Sequence, residues 1–340
     1  MLRRIAAVAL MLAFLDPGHA YATTDADVWE NPRRVQFEYA VDFSELDAAD
    51  DARTRVWVPY PWSGESQKTG QINIDAPWEY RITSDDSGNR MIYMEGRGQP
   101  PAPLTVRFDV ERLPYRGVPR SGFTRGGIDD PQRYLDAPRL IPLQGTISEL
   151  AEDVGDGLSS RSEKIWAFYD YVYQTMSYDK SGTGWGRGDA IWACDNKRGN
   201  CTDFHSLFIG MALSEDIPAR FVIGFPLPSE PEAGSIGGYH CWAEFFDAQR
   251  GWIPIDASEA RKRGQKTAYF GALPNDRVQF TLGRDLTLEP PQDSGPLNYF
   301  IYPHVEIDGE RRPMKAKFSY EPLADSVVIE DAAKTEATGN

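Results

Sequence analysis

Between residues 34 and 113 the apolar side chains recur at every second position. Val35, Phe37, Tyr39, Val41 and Phe43 alternate with polar residues, and Leu104, Val106, Phe108 and Val110 do so again. Shorter runs at 55–58, 71–74, 79–82 and 91–94 lie between them, separated by Pro, Gly and Asp-Ser-Gly turns. A period of two puts alternate side chains on opposite faces of a strand, so this segment predicts an antiparallel β-sandwich. Nothing in it forms a catalytic pattern. Asp47, Asp50 and Asp51 cluster, but they lack the ligand spacing of a calcium loop and read as a solvated turn.

The period then changes. Residues 114–145 are rich in Pro, Gly and Arg and read as a long connection. Thr146 with Glu149 has the form of a capping box, followed by Ile147, Leu150, Ala151 and Val154 on one helical face. Ser160 with Glu163 repeats the signal ahead of Ile165, Phe168, Tyr169, Val172 and Met176. A third helix follows the Gly-rich loop at 181–188. Phe204, Leu207, Phe208 and Met211 form its apolar face, and Cys201 falls in its first turn. Strand-like segments at 220–225, 239–246 and 252–255 come next, then a β-rich stretch from 269 to 320. Aromatic residues make up 12% of the chain, enough for a sizeable core, which excludes a largely disordered protein.

The first segment reads as an address. Arg3 and Arg4 precede an apolar run at 5–15, whose 11 residues are too few to cross a bilayer. Asp16, Pro17 and Gly18 break it, and Ala20-Tyr21-Ala22 supplies a small-x-small cleavage pattern. The expectation is a signal peptide cut after Ala22 and a periplasmic or secreted mature protein. The net charge of -15 argues against nucleic acid or an anionic membrane as partner, since both require clustered Lys and Arg. Three cysteines are too few for a disulfide scaffold.

Chemistry must come from a small set of residues: His205, His240 and His304, with Cys194, Cys201 and Cys241. A thiol attacks as thiolate, and the N–H groups and partial positive charge of a helix N-terminus would stabilise that anion at Cys201. His240, in Gly-Tyr-His-Cys-Trp-Ala-Glu, is the candidate base, and Asp256, closing Gly-Trp-Ile-Pro-Ile-Asp, the candidate carboxylate to orient it. The residue types alone leave other readings open. Cys201 and His205, four apart on one helix, have a metal-ligand spacing, but His240 and Cys241 are consecutive on a strand and should face opposite ways. Cys194 and Cys241 read either as buried small hydrophobes or as a disulfide pair that leaves Cys201 free.

At these positions the chain resembles the transglutaminase-like superfamily. Gly199-Asn200-Cys201-Thr202-Asp203-Phe204 is followed in order by Ile217-Pro218-Ala219-Arg220 leading to Gly224, then by Tyr239-His240-Cys241-Trp242-Ala243-Glu244 and Gly251-Trp252-Ile253-Pro254-Ile255-Asp256. The one departure is Asp216, where the family often has Gly. The resemblance spans residues 146–256. It implies an α+β fold with a papain-like core, in which a helix-borne Cys packs on an antiparallel sheet. It also implies Cys201 as nucleophile, His240 as general base and acid, and Asp256 as orienting carboxylate. The Cys201 N–H would form half of an oxyanion hole, with Trp185 or Trp192 as candidate second donor. The resulting division is a leader at 1–22, a β-sandwich at 23–115, a transglutaminase-like catalytic domain at 116–270, a β-rich extension at 271–325 and an acidic tail at 326–340.

Such a triad forms a thioester acyl-enzyme, and the next acceptor decides the product. The expected function is a periplasmic cysteine hydrolase, a peptidase or amidase, with peptide or protein as substrate; an exported location would put cell-wall peptide within reach. A protein-glutamine transamidase is the alternative reaction. A catalytically silent binding module is the alternative from another class, with an occluded Cys201 of ordinary pKa as its signature. No cofactor or metal is implied.

Overall fold

The computed structural model describes residues 28–116, 130–229, 232–324 and 326–330. The expected leader, part of the connection at 114–145 and the last ten residues of the tail lie outside them. The first six strands are β1 (Arg33–Val41), β2 (Arg53–Pro59), β3 (Gln67–Asp75), β4 (Tyr80–Ser84), β5 (Arg90–Arg97) and β6 (Leu104–Arg112). The middle of the chain holds α1 (Thr146–Gly155), α2 (Arg161–Thr175), β7 (Ser177–Tyr178), α3 (Ala190–Asn196), β8 (Arg198–Gly199) and α4 (Cys201–Ser214). After it come β9 (Ala219–Pro226), β10 (Gly234–Ser235), β11 (His240–Asp247), β12 (Gly251–Ile255), α5 (Ala257–Arg263), β13 (Arg277–Leu282), β14 (His304–Ile307), β15 (Glu310–Arg312) and β16 (Ala316–Pro322).

Two five-stranded antiparallel sheets, ordered β10-β16-β1-β6-β3 and β15-β14-β2-β5-β4, make up the sandwich. The period-two pattern is what β1 uses: Val35, Phe37, Tyr39 and Val41 are buried and the residues between them are not. On β2 both faces are covered. Val56 and Val58 enter the main core, while Trp57 packs with Met91, Tyr93, Leu286, Leu288, Leu297 and Phe300 in a second cluster. The segment expected as an extension, 271–325, divides between the other units. β13 pairs with β9, whereas β14 pairs with β2 and β16 pairs with β1. The N-terminal strands leave hydrogen-bonding edges that only a distant part of the chain closes, and an uncovered edge is a liability.

The third sheet, ordered β12-β11-β9-β13, lies between the sandwich and the helices. Phe225 of β9 meets Phe318 of β16 with ring centroids 4.1 Å apart, and Phe37 at 5.6 Å. Its other neighbour is α4, in which every residue from Cys201 to Leu213 is buried. A helix buried on every side is a core element, and its polar residues Thr202, Asp203, His205 and Ser206 are buried with it. Gly224 permits the close approach of β9 to β13, since a Cβ there would lie 1.9 Å from the Val278 carbonyl oxygen. The architecture is therefore α+β, a papain-like core built against a β-sandwich.

Helix starts differ from one another. The Ser160–Glu163 capping box is present, with the Glu163 N–H donating to Ser160 Oγ at 3.2 Å and the Ser160 N–H to Glu163 Oε2 at 3.1 Å. The expected Thr146–Glu149 box is not. Gly145, at φ 69°, occupies the N-cap, so Thr146 is already helical and its hydroxyl is one residue too late to cap. Among the described residues, no helix is long and apolar enough to cross a membrane.

Candidate active site

Cys201 is the first residue of α4, and the turn before it is tightly built. Asn200 caps the helix: its side-chain oxygen accepts from the Thr202 N–H at 2.9 Å, and its own N–H donates to Asp203 Oδ2 at 2.9 Å. The buried Asp203 carboxylate also accepts from the N–H groups of Gly186 (2.6 Å) and Gly188 (3.0 Å), which ties the Gly-rich loop to the helix start. Gly199 makes this possible. It sits at φ 144°, and a Cβ there would fall 2.2 Å from Asp203 Oδ2. The motif Gly-Asn-Cys-Thr-Asp is thus a folding instruction for the turn that presents the thiol.

His240 opens β11, and Asp256 directly follows β12 as the N-cap of α5. The structure brings all three expected residues together. His240 Nε2 lies 2.6 Å from Asp256 Oδ2, and Cys201 and the same imidazole are near enough to shift each other's acidity. With Nε2 committed to the carboxylate, Nδ1 is the ring atom left to the sulfur. All three are buried, Cys201 at 2% exposure, His240 at 5% and Asp256 at 0%.

The electrostatics follow from this contact. Burial pushes the Cys201 thiol up, but hydrogen bonds from Cys241 and His240 and the charge on His240 outweigh it and hold the thiol well below its usual value. Burial alone would push His240 down. The Asp256 charge and hydrogen bond, with the contribution of Cys201, reverse that and raise it to about 10. Asp256 is held well below the usual carboxylate range, chiefly by His240 and Arg277 acting against burial. The favoured state is a thiolate–imidazolium pair braced by a carboxylate, an arrangement able to attack an acyl carbon and to protonate a leaving group. The silent-module reading foresaw an occluded thiol of ordinary pKa. The thiol is occluded, and its surroundings push its pKa down.

Several residues around the triad were not legible beforehand. Arg277 Nη1 donates to Asp256 Oδ2 at 2.7 Å, and its Nε and Nη2 donate to Asp276 Oδ1. Ser258 Oγ (3.0 Å) and the Glu259 N–H (2.9 Å) donate to Asp256 Oδ1. His205 is fully buried, with Nε2 3.5 Å from Asp256 Oδ1 and Nδ1 3.7 Å from the Cys241 sulfur. His240 and Cys241, consecutive on β11, do not join a metal-ligand group among the described residues. The Cys241 sulfur faces α4, 3.7 Å from Thr202 Oγ1 and from His205 Nδ1, while His240, the first residue of the strand, turns to Asp256.

All three cysteines are free. Cys194 lies beside Lys197 Nζ at 3.6 Å rather than being bonded to Cys241. Trp185 Nε1 donates to the Gly182 carbonyl, an acceptor in its own loop. Arg220, Glu244 and Trp252, the other polar and aromatic motif residues, are structural. Arg220 Nε donates to Glu244 Oε2 at 2.7 Å and its guanidinium stacks 4.0 Å from the Trp252 ring, joining β9, β11 and β12. Among the described residues, no group of three or more His, Cys, Asp or Glu side chains is arranged to hold a metal. A cleft of about 490 Å³ opens beside His240, with Arg33, Glu259, Arg263, Asp276 and Arg277 on its walls.

A Cys–His–Asp constellation on a helix start and two adjacent strands defines the class of papain-like thiol proteins. Residues 148–257 match the profile of the transglutaminase-like superfamily, and the chain carries a domain of that superfamily. Along nearly its whole length it is similar to an uncharacterized protein of Haemophilus influenzae, 24% identical over 376 aligned positions covering 94% of this chain and 99% of the other. It is also similar to the uncharacterized protein YebA of Bacillus subtilis, 23% identical over 141 positions, which cover 37% of this chain and 19% of that one. In fold it is similar to the crystal structure of a candidate cysteine protease from Cytophaga hutchinsonii. That match has a TM-score of 0.58 and 16% identity, and covers 88% of this chain and 94% of the other.

Proposed function

We propose that the protein is an exported cysteine hydrolase of amide bonds. Cys201 is the nucleophile, His240 the general base and acid, and Asp256 the carboxylate that orients and charges the imidazole. The observation that carries this reading is the buried His240–Asp256 pair, 2.6 Å apart, beside the buried Cys201 at the start of α4. The thiolate attacks the amide carbonyl, and the first-turn N–H of Cys201 supplies one donor to the developing oxyanion. The His240 imidazolium then gives its proton to the departing amine, leaving a thioester. Water, activated by the now neutral imidazole, releases the acid and restores the thiol. Export is supported by the leader-like pattern at 1–22.

The test is the pH dependence of Cys201 alkylation, followed by peptide mass mapping in the wild type and in His240→Ala. Rapid reaction well below the free-thiol pKa of about 8.5, lost without His240, is the expected result. Inert behaviour, or free-thiol behaviour in both proteins, defeats the reading. Peptide amides offered with and without a primary amine then separate hydrolysis from transfer, with free acid as the expected product in both.

A further inference from the structure

Cys241 has no task in the reaction just described, yet its sulfur shares a buried chamber with the reactive one. It is completely buried and lies 3.7 Å from both Thr202 Oγ1, the residue after Cys201, and His205 Nδ1, one turn further along the same helix. Two Cys–His pairs therefore flank one carboxylate, Cys201–His240 on Asp256 Oδ2 and Cys241–His205 on the Oδ1 side. The cleft beside His240 reaches the imidazole that neighbours this chamber.

We propose that Cys241 is a resolving thiol: when a hydroperoxide reaches the site, Cys201 and Cys241 join in a reversible disulfide that switches the nucleophile off and shields it from irreversible oxidation. The inference rests on Cys201 being the reactive thiolate. In the first step the Cys201 sulfur attacks one peroxide oxygen. An S–O bond forms, the O–O bond breaks, and the departing hydroxide leaves as water with the proton of the His240 imidazolium. In the second, the Cys241 sulfur attacks the Cys201 sulfenic sulfur. The S–S bond forms as the S–O bond breaks, and the hydroxide leaves with the Cys241 thiol proton as a second water. A dithiol reductant reverses the product by exchange. Without a partner sulfur in contact, the sulfenic acid would be free to meet a second peroxide and pass to sulfinic acid, which a thiol does not restore.

The cysteines separate cleanly on tryptic digestion, Cys194 in 188–197, Cys201 in 199–220 and Cys241 in 221–250. The purified protein is treated with graded hydrogen peroxide, alkylated and digested. A linked 199–220/221–250 peptide, two hydrogens lighter than the sum of its parts, is expected. Alkylation of Cys201 should fall about tenfold or more and return with dithiothreitol, whereas in Cys241→Ser less than about a tenth should return. Sulfinic acid at Cys201 of the wild type without the linked peptide overturns the proposal. So does a link to Cys194, or equal recovery in both proteins. The alkylation rate before peroxide is read separately. Slow reaction there defeats the thiolate reading, and fast reaction without a linked peptide defeats the disulfide alone.

Discussion

Arg277 and His240 converge on one oxygen of Asp256, at 2.7 and 2.6 Å from Oδ2. The carboxylate divides its charge between a permanent cation and a titrating one. Replacing Arg277 by Gln removes the permanent cation and leaves Asp276 to Arg263, 3.4 Å away. Breaking a buried pair by deleting one partner costs about 3–5 kcal/mol, so the urea midpoint should fall sharply. Arg277→Lys should recover part of the loss, because one ammonium cannot bridge both carboxylates as a guanidinium does. A change below about 1 kcal/mol in Arg277→Gln would mean that the bridge is not holding the site.

The imidazole of His240 should titrate near 10, high for histidine, when followed by its ring protons in NMR. Part of that elevation comes from the Cys201 hydrogen bond and charge. Carbamidomethylation of Cys201 removes both, so the midpoint should move down. An unchanged midpoint after alkylation would show that thiol and ring are not coupled.

Acid should destabilise the fold through His205. Burial lowers its pKa to about 4, below the unfolded value of about 6.5, so the unfolded chain binds the proton first as pH falls. Its contribution is fully present above pH 6.5 and disappears as the pH drops towards 4, a loss of roughly 3 kcal/mol. His240, raised to about 10, acts the opposite way near the top of that range, where the unfolded ring loses its proton and the folded one keeps it. This effect is common to the wild type and the variant. Urea unfolding of the wild type and His205→Asn between pH 7 and 4.5 measures the difference; parallel pH dependences would contradict it.

Gly199 should tolerate no side chain. Gly199→Ala drives a Cβ into the Asp203 carboxylate and disturbs its three backbone hydrogen bonds. Strain of this kind, added to buried N–H groups left without an acceptor, costs about 2–4 kcal/mol. Thermal unfolding checks this, and a wild-type melting temperature would refute it. Asp203→Asn, which keeps the shape but turns an acceptor into a donor, should lose stability as well.

What the sequence settled by itself is local. The period of two along 34–113 places the six N-terminal strands, and the Ser160–Glu163 box starts α2 where expected, because side-chain periodicity and capping act within a few residues. The order of Cys201, His240 and Asp256 in their motifs, and the placing of Cys201 in the first turn of a helix, are local in the same sense. The Asn200–Asp203 box at that turn was equally legible and went unread.

The rest required the chain to fold back on itself. No pattern in 304–322 says that β14 and β16 complete sheets begun at β2 and β1, since edge pairing depends on which distant strand is left open. Nor does composition say that Arg277 shares Asp256 with His240, that His205 approaches its other oxygen, or that Cys241 lies against the first turn of α4. Burial makes these contacts strong, because a charge or thiol removed from water must find its partner inside the protein. Which partner it finds is decided by the packing of α4 against β9 and β11, and by β13 crossing beside them.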